Sequence, residues 1–327
     1  MLSRTSTLWR RIMGAAAVCV CLIAVQRAEA RPGVPERSRV AVAQAERILA
    51  PEGPLTPYIY PEGKVEYGIV ELLLDRAATA ALDVDNAEDA WSKLFKPNDR
   101  VGIQLDVGRL QVHQEVLEAL ILRILGTGVR LRNIIVYSGD EAELFRAGFD
   151  LSGRTPGVRV MASDAEGYRS GVSRIVLDYT TKIVSVSRLR VDEQVGMYAA
   201  LANCLNSVPY VDRQRLRREP ETLAEAAANA SLRRATVLHV VDALRPGWRR
   251  VEGQARPETW LYRGILASTD PVALDTTCRR ILLEKRQEEN ADLEHLNTPV
   301  VYLQPATEQF RLGNSDPERI EVVSTRP

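Results

Sequence analysis

Between Val101 and Tyr137 the chain carries a pattern that few folds accommodate. Val101-Gly102-Ile103-Gln104-Leu105-Asp106-Val107 alternates as a strand does. Val116, Leu117, Leu120, Ile121, Ile124 and Leu125 then recur at helical spacing, and Gly126 and Gly128 stand where a left-handed cap would end that helix. Asn133-Ile134-Ile135-Val136-Tyr137 follows, a short apolar run of the kind used by a sheet covered on both faces. This is a β-α-β unit, whose two strands run parallel through a right-handed crossover. The alternation continues: Ser138-Gly139-Asp140 opens a helix containing Leu144 and Phe145, and Gly148-Phe149 closes it before a strand near Val158 to Met161. The expected fold is α/β, with a mostly parallel or mixed sheet and helices on both faces.

Other stretches extend this frame. Leu266-Ala267-Ser268-Thr269-Asp270-Pro271-Val272-Ala273-Leu274-Asp275 reads as a strand end, a capped turn and a helix start, with Asp270 as N-cap and Pro271 at the first helical position. Asp275 and Arg279 stand four apart, which predicts a surface ion pair, so Asp270, Pro271 and Asp275 are assigned to the scaffold. Val65 to Ala77 and Ala87 to Phe95 show helical spacing, and Asn86 can cap the second. Two helices are therefore expected before the sheet. Val172 to Leu177 and Lys182 to Val191 predict a hairpin, Gln194 to Asn206 a helix, and Pro209 to Pro220 a loop with Arg213, Arg215, Arg217 and Arg218. That loop is read as solvated rather than as an anion site. Glu221 to Ala230 is expected to be helical, Thr236 to Asp242 a central strand, Leu261 to Ser268 another strand, and Ile320 to Val323 the last.

The first thirty residues read as a secretory leader: basic up to Arg10 and Arg11, apolar from Ile12 to Val25, then Ala28-Glu29-Ala30. Cleavage is expected after Ala30, and the paired arginines suit either a twin-arginine or a general secretion route. The chain is thus expected to be exported, periplasmic or extracellular, without a membrane anchor once the leader is removed. Residues 31–64 hold Pro32, Pro35, Pro51, Pro54, Pro57 and Pro61 and read as an extended segment, with a strand or short helix within Val40 to Leu49. Residues 65–327 form the expected single α/β domain. A formal net charge of zero argues against bulk nucleic-acid binding.

Three groups of residues resemble the domain of unknown function 362 (DUF362) family: Leu238-His239-Val240-Val241-Asp242-Ala243-Leu244, Ile265 to Asp275, and Gly313-Asn314-Ser315-Asp316-Pro317-Glu318-Arg319-Ile320-Glu321-Val322-Val323. Ala90 to Ile103 and Glu143-Leu144-Phe145-Arg146-Ala147-Gly148-Phe149 are similar to the family's front half, in the same order. The resemblance implies an α/β fold and export, without an established activity. Where such proteins continue the first strand with lysine and asparagine, this chain has Gln104 and Asp106. Where they have a Lys-x-His pair it has Arg188-Leu189-Arg190, and of the polar signatures Asn203 alone survives. A ligand site built from those groups is then lost or rebuilt.

The chemistry-bearing candidates are Asp106, Asp140 and Asp242, each at or just beyond the carboxyl end of an expected strand, where open α/β sheets bind ligands. Three converging carboxylates could hold a divalent cation such as magnesium or calcium. Against this stand ordinary roles, Asp140 as a helix cap and Asp242 as a turn residue. His113, which begins the helix after the first strand, is the candidate general base, with Asp106 as its catalytic companion; Asp140, Asp242 and Asn203 are candidate ligand contacts. His239, inside an apolar strand, reads as a core histidine, and His295 has no partner at metal-binding spacing. Beyond the leader stand Cys204 and Cys278, with no iron-sulfur or zinc spacing. Ser138-Gly139-Asp140 and Gly126-Thr127-Gly128 lack the context of a nucleophile elbow or a dinucleotide loop and read as turns. Two functions follow: binding of a small ligand or cation at the sheet edge, or metal-assisted catalysis by the aspartates with His113.

Overall fold

The computed structural model describes residues 34–50, 63–151, 157–254, 256–289 and 299–326. The leader, most of the prolines of 31–64 and His295 lie outside them. The folded unit runs from Pro35 to Pro327.

Strand β1 (Ser38–Gln44) comes first, ahead of helices α1 (Tyr67–Leu82) and α2 (Ala87–Leu94). The expected domain start at Val65 is therefore too late: β1 lies inside the sheet, and its alternating Val40, Val42 and Ala41, Ala43 serve opposite cores. Asn86 caps α2, accepting from the Asp89 amide at 2.9 Å, a contact worth about 1 kcal/mol. Then follow β2 (Val101–Leu105), α3 (Gln114–Gly126), β3 (Ile134–Ser138), α4 (Glu141–Arg146), β4 (Arg159–Ala162) and the single turn α5 (Ser163–Glu166). Gly128 takes φ +88° just beyond α3, the left-handed conformation that stops this helix cheaply.

The middle of the chain departs from its expected elements. Val172 belongs to a small hairpin, β5 (Tyr168–Arg169) with β6 (Val172–Ser173), turned by Ser170 and Gly171, both at positive φ. Ile175–Tyr179 coils as one π turn, so Val172 to Leu177 is no strand; a short apolar run does not separate these alternatives by periodicity. The predicted hairpin partner is instead a long inner strand, β7 (Lys182–Asp192). Asp192 accepts the amides of Gln194 and Val195 at 2.9 and 3.1 Å, and Gly196 takes φ +83°. That tight turn sends the chain back as β8 (Gly196–Tyr198) and a 3-10 segment, Ala202–Ser207, where a helix was expected. The arginine-rich stretch is helix α6 (Tyr210–Arg218), not a loop: Pro209 stands at its N-cap, and its Arg, Gln and Leu residues are good helix formers.

Helices α7 (Leu223–Ala227) and α8 (Ala230–Ala235) lead to β9 (Thr236–Arg249), β10 (Glu258–Thr259), β11 (Gly264–Ser268), α9 (Pro271–Glu288), α10 (Leu303–Glu308) and β12 (Ile320–Thr325). The main sheet runs β12-β1-β11-β9-β7-β2-β3-β4, with β10 on β9 and β8 on β7. Along that path β11 alone runs against the rest. The sheet is thus mixed, and helices cover both faces. One face meets α1, α2 and α3 through Leu73, Leu74, Trp91 and Leu120; the other meets α6, α7, α9 and α10 through Leu216, Leu223, Leu274 and Ala306.

The Asp270 turn ties both ends of the unit together. One carboxylate oxygen accepts the amides of Val272 and Ala273, both at 2.9 Å; the other accepts from the Ser38 hydroxyl at 2.5 Å and the Asn314 amide at 2.9 Å. A Cβ on Gly313 would fall 1.7 Å from Asp270 Oδ1, so the chain must be glycine there. Asp275 corrects the surface-pair expectation. It is fully buried and accepts from the amides of Ala200 and Leu201 at 2.7 and 3.2 Å and from the Tyr302 hydroxyl at 3.2 Å. Burial pushes its carboxyl up to about 7 against those neutral donors. Cys204 and Cys278 are free and buried.

Candidate functional site

The candidate residues gather beyond the carboxyl ends of β2 and β3 and, because β9 runs on past Asp242 to Arg249 instead of ending there, beside the middle of β9; they form two separate arrangements. Asp106, just past β2, is buried against Arg190 of β7, whose guanidinium also lies 4.0 Å over the Tyr198 ring. The Gly108 amide donates to Asp106 Oδ1 at 3.1 Å. Next to it Arg188 donates to the carbonyls of Arg245, at 2.7 and 3.0 Å, and Gln111, at 3.0 Å. Asp106 and Arg190 have therefore paired with one another, while Arg188 is held by backbone carbonyls. Asp106 is committed to a structural ion pair, which corrects its assignment as a catalytic group.

Asn203 is likewise internal. Its side-chain amide donates to Gln104 O at 3.0 Å, Ser185 Oγ at 2.9 Å and Val186 O at 3.2 Å, and its oxygen accepts from Asn206 at 2.7 Å. Gln104 in turn reaches Ser207 Oγ at 2.6 Å, which also meets the Tyr137 hydroxyl at 3.2 Å. This buried network fastens the 3-10 segment across β2 and β7. Asn203 is thus a scaffold residue and not the expected ligand contact.

Asp140 caps α4, accepting from the Glu143 amide at 2.9 Å. Among the described residues no group of three or more His, Cys, Asp or Glu side chains could hold a metal ion. Asp106 faces Arg190, Asp140 the Glu143 amide and Asp242 His113, so the three carboxylates expected to share a cation do not converge. Ion pairing and helix capping won over convergence.

Asp242 and His113 make the second arrangement. Asp242, fully buried in β9, accepts the His113 backbone amide at 2.8 Å and the Leu244 amide at 3.0 Å, and its Oδ2 stands 2.7 Å from His113 Nδ1. Burial pushes the carboxyl up, but the attraction of His113, their hydrogen bonds and the Arg188 guanidinium outweigh it and hold Asp242 at about 2. An ionised Asp242 accepts only, so Nδ1 carries the proton toward it and Nε2 of a neutral imidazole is left as the base. No protein group among the described residues bonds that second nitrogen. The His113 side chain is 13% exposed, where it lines a pocket of about 410 Å³ with Gly63, Lys64, Val65, Tyr67, Gln114, Glu115 and Glu118. The sequence draws attention to His113; it places Gly63 and Lys64 at the end of an extended segment and Val65 to Tyr67 at the start of a helix, with no signal that they form the wall facing His113. His239 stays in the strand core, pushed down to about 4 by burial.

The model of the domain of unknown function DUF362 matches residues 109–280. The chain belongs to that family. In this family member the matched span contains Asp242, His113 and the Asp270 turn, while the Gly63 to Tyr67 wall precedes it. No curated protein matches the chain. Among solved structures, the lactate racemase apoprotein of Thermoanaerobacterium thermosaccharolyticum is similar at 12% identity and a TM-score of 0.37, over 65% of this chain and 55% of that one. A Thermotoga maritima protein is similar at 10% identity and a TM-score of 0.34, over 61% of this chain and 58% of that one. The chain thus spans little more than half the length of either.

Proposed function

We propose that this DUF362 member is an exported protein that binds a small polar molecule in the cleft beside His113, with the imidazole as its ligand-facing group. One observation carries the reading: a carboxylate fixes Nδ1 of a histidine whose Nε2 has no protein partner among the described residues and whose ring lines a pocket. Asp242 sets the tautomer and orientation, and the ligand meets a base or, after protonation, a cation. Diethyl pyrocarbonate, which acylates accessible neutral imidazoles, tests this on the folded chain. His113 should be modified at Nε2 in the folded protein; a His113 that resists until the protein unfolds would overturn the reading.

Export rests on the leader pattern from Arg10 to Ala30. Terminal sequencing of protein from the periplasmic fraction should read Arg31 first. Intact Met1 in the cytoplasmic fraction would refute export.

A second reading, catalysis by proton transfer, is favoured by the same Asp242 to His113 bond, since a carboxylate-oriented imidazole is a common general base. Proton exchange at a carbon of a bound molecule, lost in His113→Gln, would mark it as chemistry beyond binding.

A further inference from the structure

Strands β7 and β9 run parallel and in register up to Arg188 and Asp242, and there they part. The next paired residues are Arg190 and Gly247, so β9 advances five residues, from 242 to 247, while β7 advances two, from 188 to 190. This bulge takes residues 243–246 out of register with β7. Asp242 opens it, accepting the Leu244 amide at 3.0 Å. Residues in register on neighbouring strands carry their side chains on one face of the sheet. Arg188 and Asp242 therefore stand side by side on the face that α3 covers, where His113 is the N-cap of that helix.

Arg188 spans the opening. Its side chain is buried, and its guanidinium donates twice to the Arg245 carbonyl inside the bulge, at 2.7 and 3.0 Å, and once to the Gln111 carbonyl, at 3.0 Å. Arg245 lies three residues beyond Asp242, and Gln111 two before His113. One planar group thus joins the strand that carries the carboxylate to the loop that carries the imidazole. Residues 106–113 form no strand or helix that could fix their distance from β9 by itself. The Arg188 charge also helps to hold the Asp242 carboxyl down, which keeps it an acceptor for His113.

We propose that Arg188 is the positioning residue of the His113 site: by bonding Gln111 and Arg245 at once, it sets the distance at which His113 meets Asp242 and so leaves Nε2 facing the cleft. The proposal rests on the reading of His113 as the ligand-facing group and names what holds it there. A lysine carries one nitrogen on a flexible stem and cannot reproduce a rigid fork aimed at two carbonyls.

The test follows the folded, isotope-labelled chain by proton-nitrogen correlation, at a pH where the His113 ring is neutral, in the parent, Arg188→Lys and Arg188→Gln. The parent guanidinium should show a protected Nε proton and separately resolved Nη protons; a freely rotating, rapidly exchanging Arg188 overturns the proposal without any substitution. In both variants the ratio of Nδ1-protonated to Nε2-protonated His113 should fall by roughly tenfold, and the exchange protection of the His113 amide by a similar factor, as for the loss of one hydrogen bond. The amides of Val272, Ala273 and Asn314, which bond Asp270 instead, should keep their parent protection and so report that the change is local. The ring is read from the folded signals alone, so a loss of stability does not mask the result. A parent-like tautomer in either variant overturns the proposal and leaves the bond between His113 and Asp242 standing. A parent ring with no preference for Nδ1 overturns the reading of the site, and the role of Arg188 with it.

Discussion

Asp106 and Asp242 lie one strand apart across β7, each buried and each facing a nitrogen cation or base, yet they end in opposite roles. Asp106 meets Arg190, which is permanently charged, stacked on Tyr198 and as buried as its partner. Nothing in that pair remains to meet a ligand. Asp242 meets an imidazole with two nitrogens, takes one, and leaves the other on the pocket wall. The contrast teaches that polar residues at a strand edge become scaffold when every valence is used inside the protein, and a site when one is left over. Chain position alone does not separate the two.

Breaking the closed pair should have the largest effect. Arg190→Leu leaves Asp106 buried without its cation and should destabilise the fold by about 3–5 kcal/mol in urea unfolding, and adding Asp106→Leu should recover much of that loss. A loss in the single variant within experimental error would show that Arg190 is not what keeps Asp106 inside.

Asp275 sharpens the comparison as a buried carboxylate with no cationic partner. Its folded pKa, about 7, lies above the unfolded value, so the native state holds the extra proton. Its contribution is fully present below about pH 4 and is lost as pH rises through 7, on the order of 4 kcal/mol by linkage. Asp275→Asn should flatten the parent's decline over that range; parallel stability profiles for the two proteins would contradict this. Asp242 has the opposite sign. Held at about 2, it contributes stability above about pH 4 that disappears as pH falls through 2. The smallest effect belongs here: Asp242→Asn should cost about 1–3 kcal/mol at neutral pH, since the Asn oxygen can keep an amide donor. The same variant should also remove the acid-side loss, and an unchanged acid limb would count against the ion pair.

Much of the architecture was legible because it rests on local rules. The β2-α3-β3 unit, the Asn86 cap and the Asp270-Pro271 turn follow from periodicity and capping chemistry. What escaped was decided by distant contacts or by turns. The chain from Val172 to Asn206 is governed by the Ser170-Gly171 turn, the π turn and the Asp192 turn, none of which shows in hydrophobic spacing. Asp275 reads as a surface residue by its i to i+4 spacing with Arg279, but the amides of Ala200 and Leu201 claim it. Of the site, His113 and Asp242 could be singled out by their places near strand ends. Their mutual bond could not, because 129 positions separate them. Nor could the opposite wall of the pocket, since Gly63 to Tyr67 shows only the passage from a proline-rich stretch into a helix and nothing that points to His113.

The central claim is that Asp242 holds one nitrogen of His113 and leaves the other open to the cleft. Long-range proton-nitrogen correlation of the His113 ring, followed through its titration in the parent and in Asp242→Asn, measures this directly. The neutral ring of the parent should carry its proton on Nδ1, with Nε2 bare, and the variant should lose that preference. A parent ring protonated on Nε2, or a tautomer indifferent to Asp242, would contradict the account.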